Sequence, residues 1–186
     1  MRNIALFGQM GAGKTTIADA LSRGGYQRVS MAGPLKAVAK MAYGDVEKGK
    51  EYAVVSLSGE QRTASGRQIL QGIGQALKFV DRNIWLQAFN RTVLTFGDTP
   101  LVVDDGRFLF EFDSLQQNGW LTVGVNTSLS VRMQRYESIY GREPTESELN
   151  HESEIEIPDI INRCHIILQG TDDPYYNTRR ILEKAR

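Results

Sequence analysis

The segment Gly8-Gln9-Met10-Gly11-Ala12-Gly13-Lys14-Thr15 fits the pattern G-x-x-x-x-G-K-[ST], and it constrains the fold more than any other stretch of the chain. A loop of this kind works only between a strand and a helix. There its glycines let successive backbone N–H groups turn inward on an anion, and the helix N-terminus adds positive potential. The flanks supply that setting: Asn3–Phe7 reads as a short buried strand, and Ile17, Ala20 and Leu21 recur at the spacing of one apolar helix face before Gly24-Gly25 stops it. The backbone of Gly8, Gly11, Ala12, Gly13, Lys14, Thr15 and Thr16 is therefore the expected cradle for the phosphates of ATP. Lys14, expected to be partly exposed in the empty loop, reaches the β- and γ-phosphates, and Thr15 offers its hydroxyl to Mg²⁺.

Downstream, strand-like runs at Tyr26–Met31, Leu101–Asp105, Leu121–Asn126 and His165–Gln169 alternate with helical patterns. The helices are expected at Pro34–Tyr43, Gly66–Val80, Asn83–Phe96, Leu109–Asn118, Val131–Tyr140 and Pro174–Lys184. This alternation predicts an α/β fold with a five-stranded parallel sheet flanked by helices, and 186 residues suit a single domain. Two polar or charged excursions, Tyr43–Ser65 and Ser138–Glu156, interrupt it. They are where a substrate clamp within an insertion over about 33–97 and a lid over about 128–157 are expected. Lys plus Arg and Asp plus Glu both number 22, so there is no electrostatic footprint for a nucleic-acid polymer or an anionic membrane. The chain enters its first strand at once and has no apolar run of membrane-spanning length, and its single cysteine, Cys164, suits a reducing compartment. A cytoplasmic protein is expected.

The second chemical signal is "PLVVDDGRF", residues 100–108, an apolar strand ending in two acids. A carboxylate at the end of the strand beside a phosphate loop completes the magnesium site that the loop hydroxyl begins. Side chains alternate along a strand, so only one of the pair faces the metal. The expectation here is Asp105, with Asp104 capping the turn or the next helix. Arg107 lies two residues beyond Asp105, either to orient that acid or touch substrate, or to pair structurally with Glu111.

With these stretches in view, most of the chain resembles the deoxynucleoside monophosphate kinases found in bacterial viruses, members of the phosphate-loop nucleoside monophosphate kinase superfamily. Beyond the loop the resemblance rests on "MAGPLKAVAK", on "GRQILQGIGQALK" followed by "NIWLQAFNR", on "VVDDGRFLFEFDSLQQNG", close to that family's Asp-x-Arg-Phe-x-x-Glu pattern, and on "HESE" at 151–154. Gly106 and Leu109-Phe110 depart from the usual valine and proline-asparagine around Arg107, and Gln169 stands where asparagine is commoner. The resemblance implies transfer of the γ-phosphoryl group of Mg-ATP to a deoxynucleoside monophosphate. That acceptor's phosphate is already ionised near neutral pH, since its second pKa lies near ~6, so no general base is required. Cations and a closing lid are the machinery such a transfer needs.

Three groups of cations are available. Lys36 lies at the start of the helix after the second strand, and Arg67, matching the family's arginine before Leu-Gln, opens the "RQILQ" helix with a planar fork suited to phosphate. Either is an acceptor-phosphate ligand or a solvated surface cation. Arg132, Arg135 and Arg142 lie in the lid segment, where kinases of this superfamily carry arginines that stabilise the transferring phosphoryl group. Interspersed Glu137, Glu143, Glu146 and Glu148 make a salt-bridged surface helix the alternative, and Arg135, then Arg142, are the favoured contacts. Trp85 and Phe89, four apart, read as a core stripe or, for Trp85, a stacking platform for the base; Gln71 and Gln75 read as base-edge donors or surface residues.

His151 and His165 have no partner at metal-ligand spacing, no nucleophile-elbow arrangement supports acyl transfer, and no Asn-Lys-x-Asp guanine-reading motif occurs. Two other functions fit the same loop: a kinase for another phosphorylated small molecule, such as phosphomevalonate or dephospho-coenzyme A, and a nucleotide-sensing interaction protein. Assembly into a homodimer stays open.

Overall fold

The strand that feeds the phosphate loop is buried on both faces, so it has to lie inside a sheet covered by helices on each side. The computed structural model describes all 186 residues and shows this arrangement. In chain order the elements are β1 (Ile4–Phe7), α1 (Lys14–Arg23), β2 (Gln27–Val29), α2 (Gly33–Tyr43), β3 (Glu51–Val55), β4 (Gln61–Ser65), α3 (Gly66–Val80), α4 (Ile84–Leu94) and β5 (Leu101–Val103). There follow α5 (Leu109–Gln117), β6 (Leu121–Asn126), α6 (Leu129–Tyr140), α7 (Glu146–Leu149), α8 (Glu152–Ile155), α9 (Ile157–Arg163), β7 (Ile166–Gln169) and α10 (Pro174–Ala185). Met1–Ser30 with Asp98–Arg186 form one compact unit, and Met31–Gly97 form a second.

The first unit holds the expected parallel five-stranded sheet, ordered β2-β5-β1-β6-β7. β1 is central, so the loop leaves the sheet at its middle. On one face Ile4, Leu6, Val102, Val123 and Val125 pack against Ile17 and Leu21 of α1 and Ile181 of α10. On the other, Phe7 meets Phe112 of α5 edge-on with ring centroids 5.4 Å apart. Gly124 lets α9 lie close, because a Cβ there would come within 3.0 Å of the Ile161 side chain. Gly106 has a similar reason, since a Cβ would press 2.8 Å from the Phe7 ring. The departure from valine is thus matched to a large neighbour.

β2 is shorter than the expected Tyr26–Met31. It pairs only with β5, whose ladder ends at Val103, and beyond Val29 it has no strand to bond. The helix Ile157–Arg163, just past the charged segment Ser138–Glu156, was not anticipated, although Ile157, Ile160 and Ile161 are buried at helical spacing and Pro158 suits its first turn.

The second unit consists of α2, α3, α4 and an antiparallel hairpin of β3 with β4, which pairs Glu51 with Ser65 and Val55 with Gln61. The hairpin lies in the segment read as a polar excursion. Its strands are mostly exposed and carry little of the apolar alternation that marks a strand packed on a core. Ser65 caps α3 by accepting the Gln68 N–H while the Gln68 side chain accepts the Ser65 N–H. Gly66 is required there, because a Cβ would collide with the Glu47 carbonyl.

Candidate active site

Gly11 and Gly13 adopt left-handed φ angles of 77° and 100°, which wind the loop between Phe7 and Lys14. The carbonyls of the loop are held by side chains. Lys14 Nζ donates to Gly8 O at 2.6 Å and Gln9 O at 3.1 Å. Arg132 Nη1 donates to Met10 O at 3.3 Å, Arg135 Nη1 to Gly11 O at 3.1 Å, and Thr127 Oγ1 to Ala12 O at 2.9 Å. With the carbonyls tied back, the first-turn N–H groups of α1, which have no intrahelical acceptor, are left to meet an anion. Lys14 is buried, at 7% exposure, which corrects the expectation of a partly exposed ammonium. The loop's own carbonyls substitute for solvent. Burial pulls its pKa down to about 7, Arg107 pushes the same way, and Glu154 and Asp104 oppose them. Thr16 is exposed.

The acid that meets the loop is Asp104. Its Oδ2 accepts from Thr15 Oγ1 at 3.3 Å, whereas Asp105 accepts from Ser30 Oγ at 2.6 Å. The expected assignment to Asp105 is thereby corrected: alternation held, but the face was misread. α1 covers the face of β5 that carries Val102, and the next residue on that face is Asp104. Arg28 fastens the same carboxylate, Nε to Oδ1 at 3.0 Å and Nη2 to Oδ2 at 2.6 Å. A hydroxyl and a carboxylate at this separation are the oxygen donors a magnesium ion takes from a protein when phosphate and water supply the remainder, so the residues present fit Mg²⁺.

Arg107 reaches the loop as well. Its guanidinium donates to Glu154 Oε1 at 2.7 Å and to Gly8 O at 3.4 Å. The alternative pairing with Glu111 is replaced by a cap, in which the Glu111 carboxylate accepts the backbone N–H of Arg107 at 2.7 Å. Arg135 bonds both Gly11 O and, through Nη2, Gly170 O at 2.7 Å. Arg132 is buried on the loop, and its Nε has no hydrogen-bond partner. Arg142 is not brought to the loop. Gly141 ends α6 in a left-handed turn, Thr145 caps α7 onto Glu148, and that glutamate takes Arg142 in two bonds of 2.8 and 2.9 Å.

In the second unit Lys36, at the first turn of α2, and Arg67, at the first turn of α3, are exposed, as is Gln71. Trp85 is half-buried and donates its indole N–H to Gly74 O at 3.1 Å, and Phe89 is buried, so this pair serves the packing of the unit. Cys164 is half-buried, and burial pushes its thiol up to about 12, which disfavours the thiolate.

Three residues at the site had no assigned role in the sequence: Arg28, Glu154 and Gly170. Glu154 lies in the quoted "HESE" stretch, a signal that was present without a function attached. Arg28 lay within the expected second strand, and that this strand runs beside β5 and its acid pair is visible only once the strand order is known.

No family model matches the sequence, and no curated protein matches it. Solved structures do. The chain is similar to shikimate kinase from Acinetobacter baumannii in complex with shikimate, at 18% identity and a TM-score of 0.59 over 99% of this chain and 92% of that one. It is similar also to a gluconokinase from Sinorhizobium meliloti 1021, at 16% identity and a TM-score of 0.56 over 98% and 90%. Shikimate kinase from Aquifex aeolicus gives 17% identity and a TM-score of 0.54 over 98% and 94%. The fold is that of the phosphate-loop kinases.

Proposed function

We infer that the protein is an ATP-dependent phosphotransferase whose acceptor is a deoxynucleoside monophosphate. The observation that carries the phosphotransferase reading is the convergence on one loop of Lys14, Arg107, Arg132 and Arg135 with the Thr15–Asp104 pair. An anion bound on the loop amides would meet four cationic side chains, the arrangement that charge developing on a transferring phosphoryl group requires. The loop and Lys14 hold the triphosphate of ATP, and Thr15 with Asp104 hold Mg²⁺. When bound, the metal neutralises phosphate charge and polarises the phosphoryl oxygens. Arg135 and Arg132 are the lid arginines that face the reacting group.

The acceptor reading rests on the four motif stretches that resemble the viral deoxynucleoside monophosphate kinases, and on two exposed cations in helix first turns. Lys36 and Arg67 each present an exposed positive side chain in a helix first turn, a setting suited to the phosphate of a monophosphate. Gln71, one turn beyond Arg67, is placed to read a base edge. No helix is long and apolar enough to cross a membrane.

The deciding experiment is a coupled assay of ADP release with each common deoxy- and ribonucleoside monophosphate, with shikimate and gluconate, the acceptors named by the similar structures, run alongside. Saturable ADP release that depends on a deoxynucleoside monophosphate supports the reading. Turnover only with a hydroxyl acceptor would replace it with a small-molecule kinase, and ADP release indifferent to every acceptor would replace it with a nucleotide switch.

A further inference from the structure

Glu154 is a buried carboxylate in contact with the phosphate loop, at 7% exposure, and unlike Asp104 it has no place in the metal site described above. It arrives on the short helix α8, whose first turn is capped by His151 Nδ1 accepting the Ser153 N–H. Both oxygens are engaged. Oε2 accepts the backbone N–H of Met10 at 2.8 Å, and Oε1 accepts Arg107 Nη1 at 2.7 Å. The guanidinium so held also leans on Gly8 O at the root of the loop. A buried anion beside a loop built to receive phosphate repels the ligand, so its presence calls for a compensating role.

We propose that Glu154 is a positioning residue for phosphoryl transfer: its carboxylate fixes the Arg107 guanidinium at the mouth of the phosphate loop and pins the loop's first turn through Met10. The geometry supports this over a purely structural ion pair in two ways. The two oxygens join the loop backbone and an arginine side chain, which are the parts whose relative placement sets the in-line alignment of a phosphoryl group. Arg107 moreover touches the loop itself only through a 3.4 Å bond to Gly8 O, and its one short bond is the 2.7 Å bond to Glu154. Without Glu154 nothing comparable holds it. The proposal rests on the phosphotransferase reading but not on the identity of the acceptor.

This arrangement has an unusual signature. Removing the anion relieves repulsion of the triphosphate, so affinity for nucleotide should rise while turnover falls. Glu154→Gln keeps shape and one acceptor oxygen, which must then serve either Met10 or Arg107. We expect this variant to bind a non-hydrolysable ATP analogue with Mg²⁺ about two- to tenfold more tightly by calorimetry, and to lose about 10- to 100-fold in kcat at saturating ATP. Combined with Arg107→Ala, it should be no slower than Arg107→Ala alone, because both changes remove the same guanidinium placement.

A merely structural glutamate would weaken analogue binding and slow turnover together, with a lowered melting temperature, and that result overturns the proposal. So does wild-type kcat in Glu154→Gln, or independent multiplication of the two losses. Should Glu154→Gln not fold, Glu154→Asp keeps the charge but shortens the reach. It should then bind the analogue like the wild type and still lose turnover, and unchanged turnover would overturn the proposal equally. If the wild type uses no monophosphate, the acceptor assignment fails on its own, while analogue binding and basal ATP hydrolysis still decide the role of Glu154.

Discussion

Asp104 Oδ2 lies 3.3 Å from Thr15 Oγ1, and the same carboxylate is gripped by Arg28 through both of its oxygens. The loop hydroxyl and the strand-end acid are thus brought together across 89 positions of sequence. Asp105, its neighbour, turns to Ser30, the residue after β2. The expected outcome is that Asp104→Asn loses about 100-fold or more of Mg²⁺-dependent phosphoryl transfer, while Asp105→Asn loses less than about tenfold. Magnesium titrations of ADP release, with tryptophan-monitored binding of Mg-ATP analogue as the independent readout, separate the two. Equal losses would undo the assignment.

Arg135 and Arg142 lie on the same helix and its exit, but only Arg135 bonds the loop, at Gly11 and Gly170. Loss of a charged hydrogen bond removes roughly 1.5–3 kcal/mol, or about 10- to 150-fold in kcat/KM, and that is the effect expected of Arg135→Ala. Arg142→Ala breaks an exposed pair with Glu148 and should change kcat/KM by less than about threefold. Steady-state kinetics on both variants check this. A larger loss in Arg142→Ala would show that the lid rearranges to bring it in.

Gly170 accepts Arg135 and donates to Asn126 O at 2.8 Å, and a Cβ at this position would collide with Ala12 O and Thr127 Oγ1. Gly170→Ala should therefore destabilise the protein by about 1–3 kcal/mol, lowering Tm by roughly 2–4 °C per kcal/mol for a chain of this size. Gly72, in the middle of α3 with nothing near its missing Cβ, is the contrast. Gly72→Ala should raise stability by up to about 1 kcal/mol through helix propensity. Thermal melts of the pair test whether the tight contact or glycine as such matters.

Under the proposed function, Arg67 and Lys36 hold the acceptor phosphate and not the triphosphate of ATP. Arg67→Ala and Lys36→Ala should raise the acceptor KM, with about 10- to 150-fold lost in kcat/KM, and leave binding of an ATP analogue unchanged. Calorimetry against the analogue beside acceptor saturation curves checks both halves. Loss of analogue binding with an unchanged acceptor KM would exchange the two assignments.

Much of the fold could be read directly. The loop motif, the buried run before it and the apolar helix stripe after it together require a strand-loop-helix unit, and the recurrence of short apolar strands between helices requires parallel pairing. The hairpin Glu51–Ser65 escaped because its exposed strands lack a buried face, and the helix Ile157–Arg163 escaped because it is only 7 residues long and follows directly on a charged segment, although its three isoleucines carried the spacing.

What the sequence determined by itself was local: the glycines that permit the left-handed turns of the loop, the lysine and threonine that follow them, and the rule that two adjacent acids on a strand face opposite ways. The tertiary structure decided each choice between chemically equal candidates, because those depend on what covers a face. Asp104 and not Asp105 meets Thr15 because of the side of the sheet on which α1 lies, and Arg142 is kept from the loop that Arg135 touches by a left-handed glycine and a glutamate six residues further along. Glu154, 144 positions from Met10, became part of the loop only when α8 was folded over it. Charge and hydrogen bonding act over a few ångströms, and proximity on that scale is a property of packing that no stretch of sequence contains.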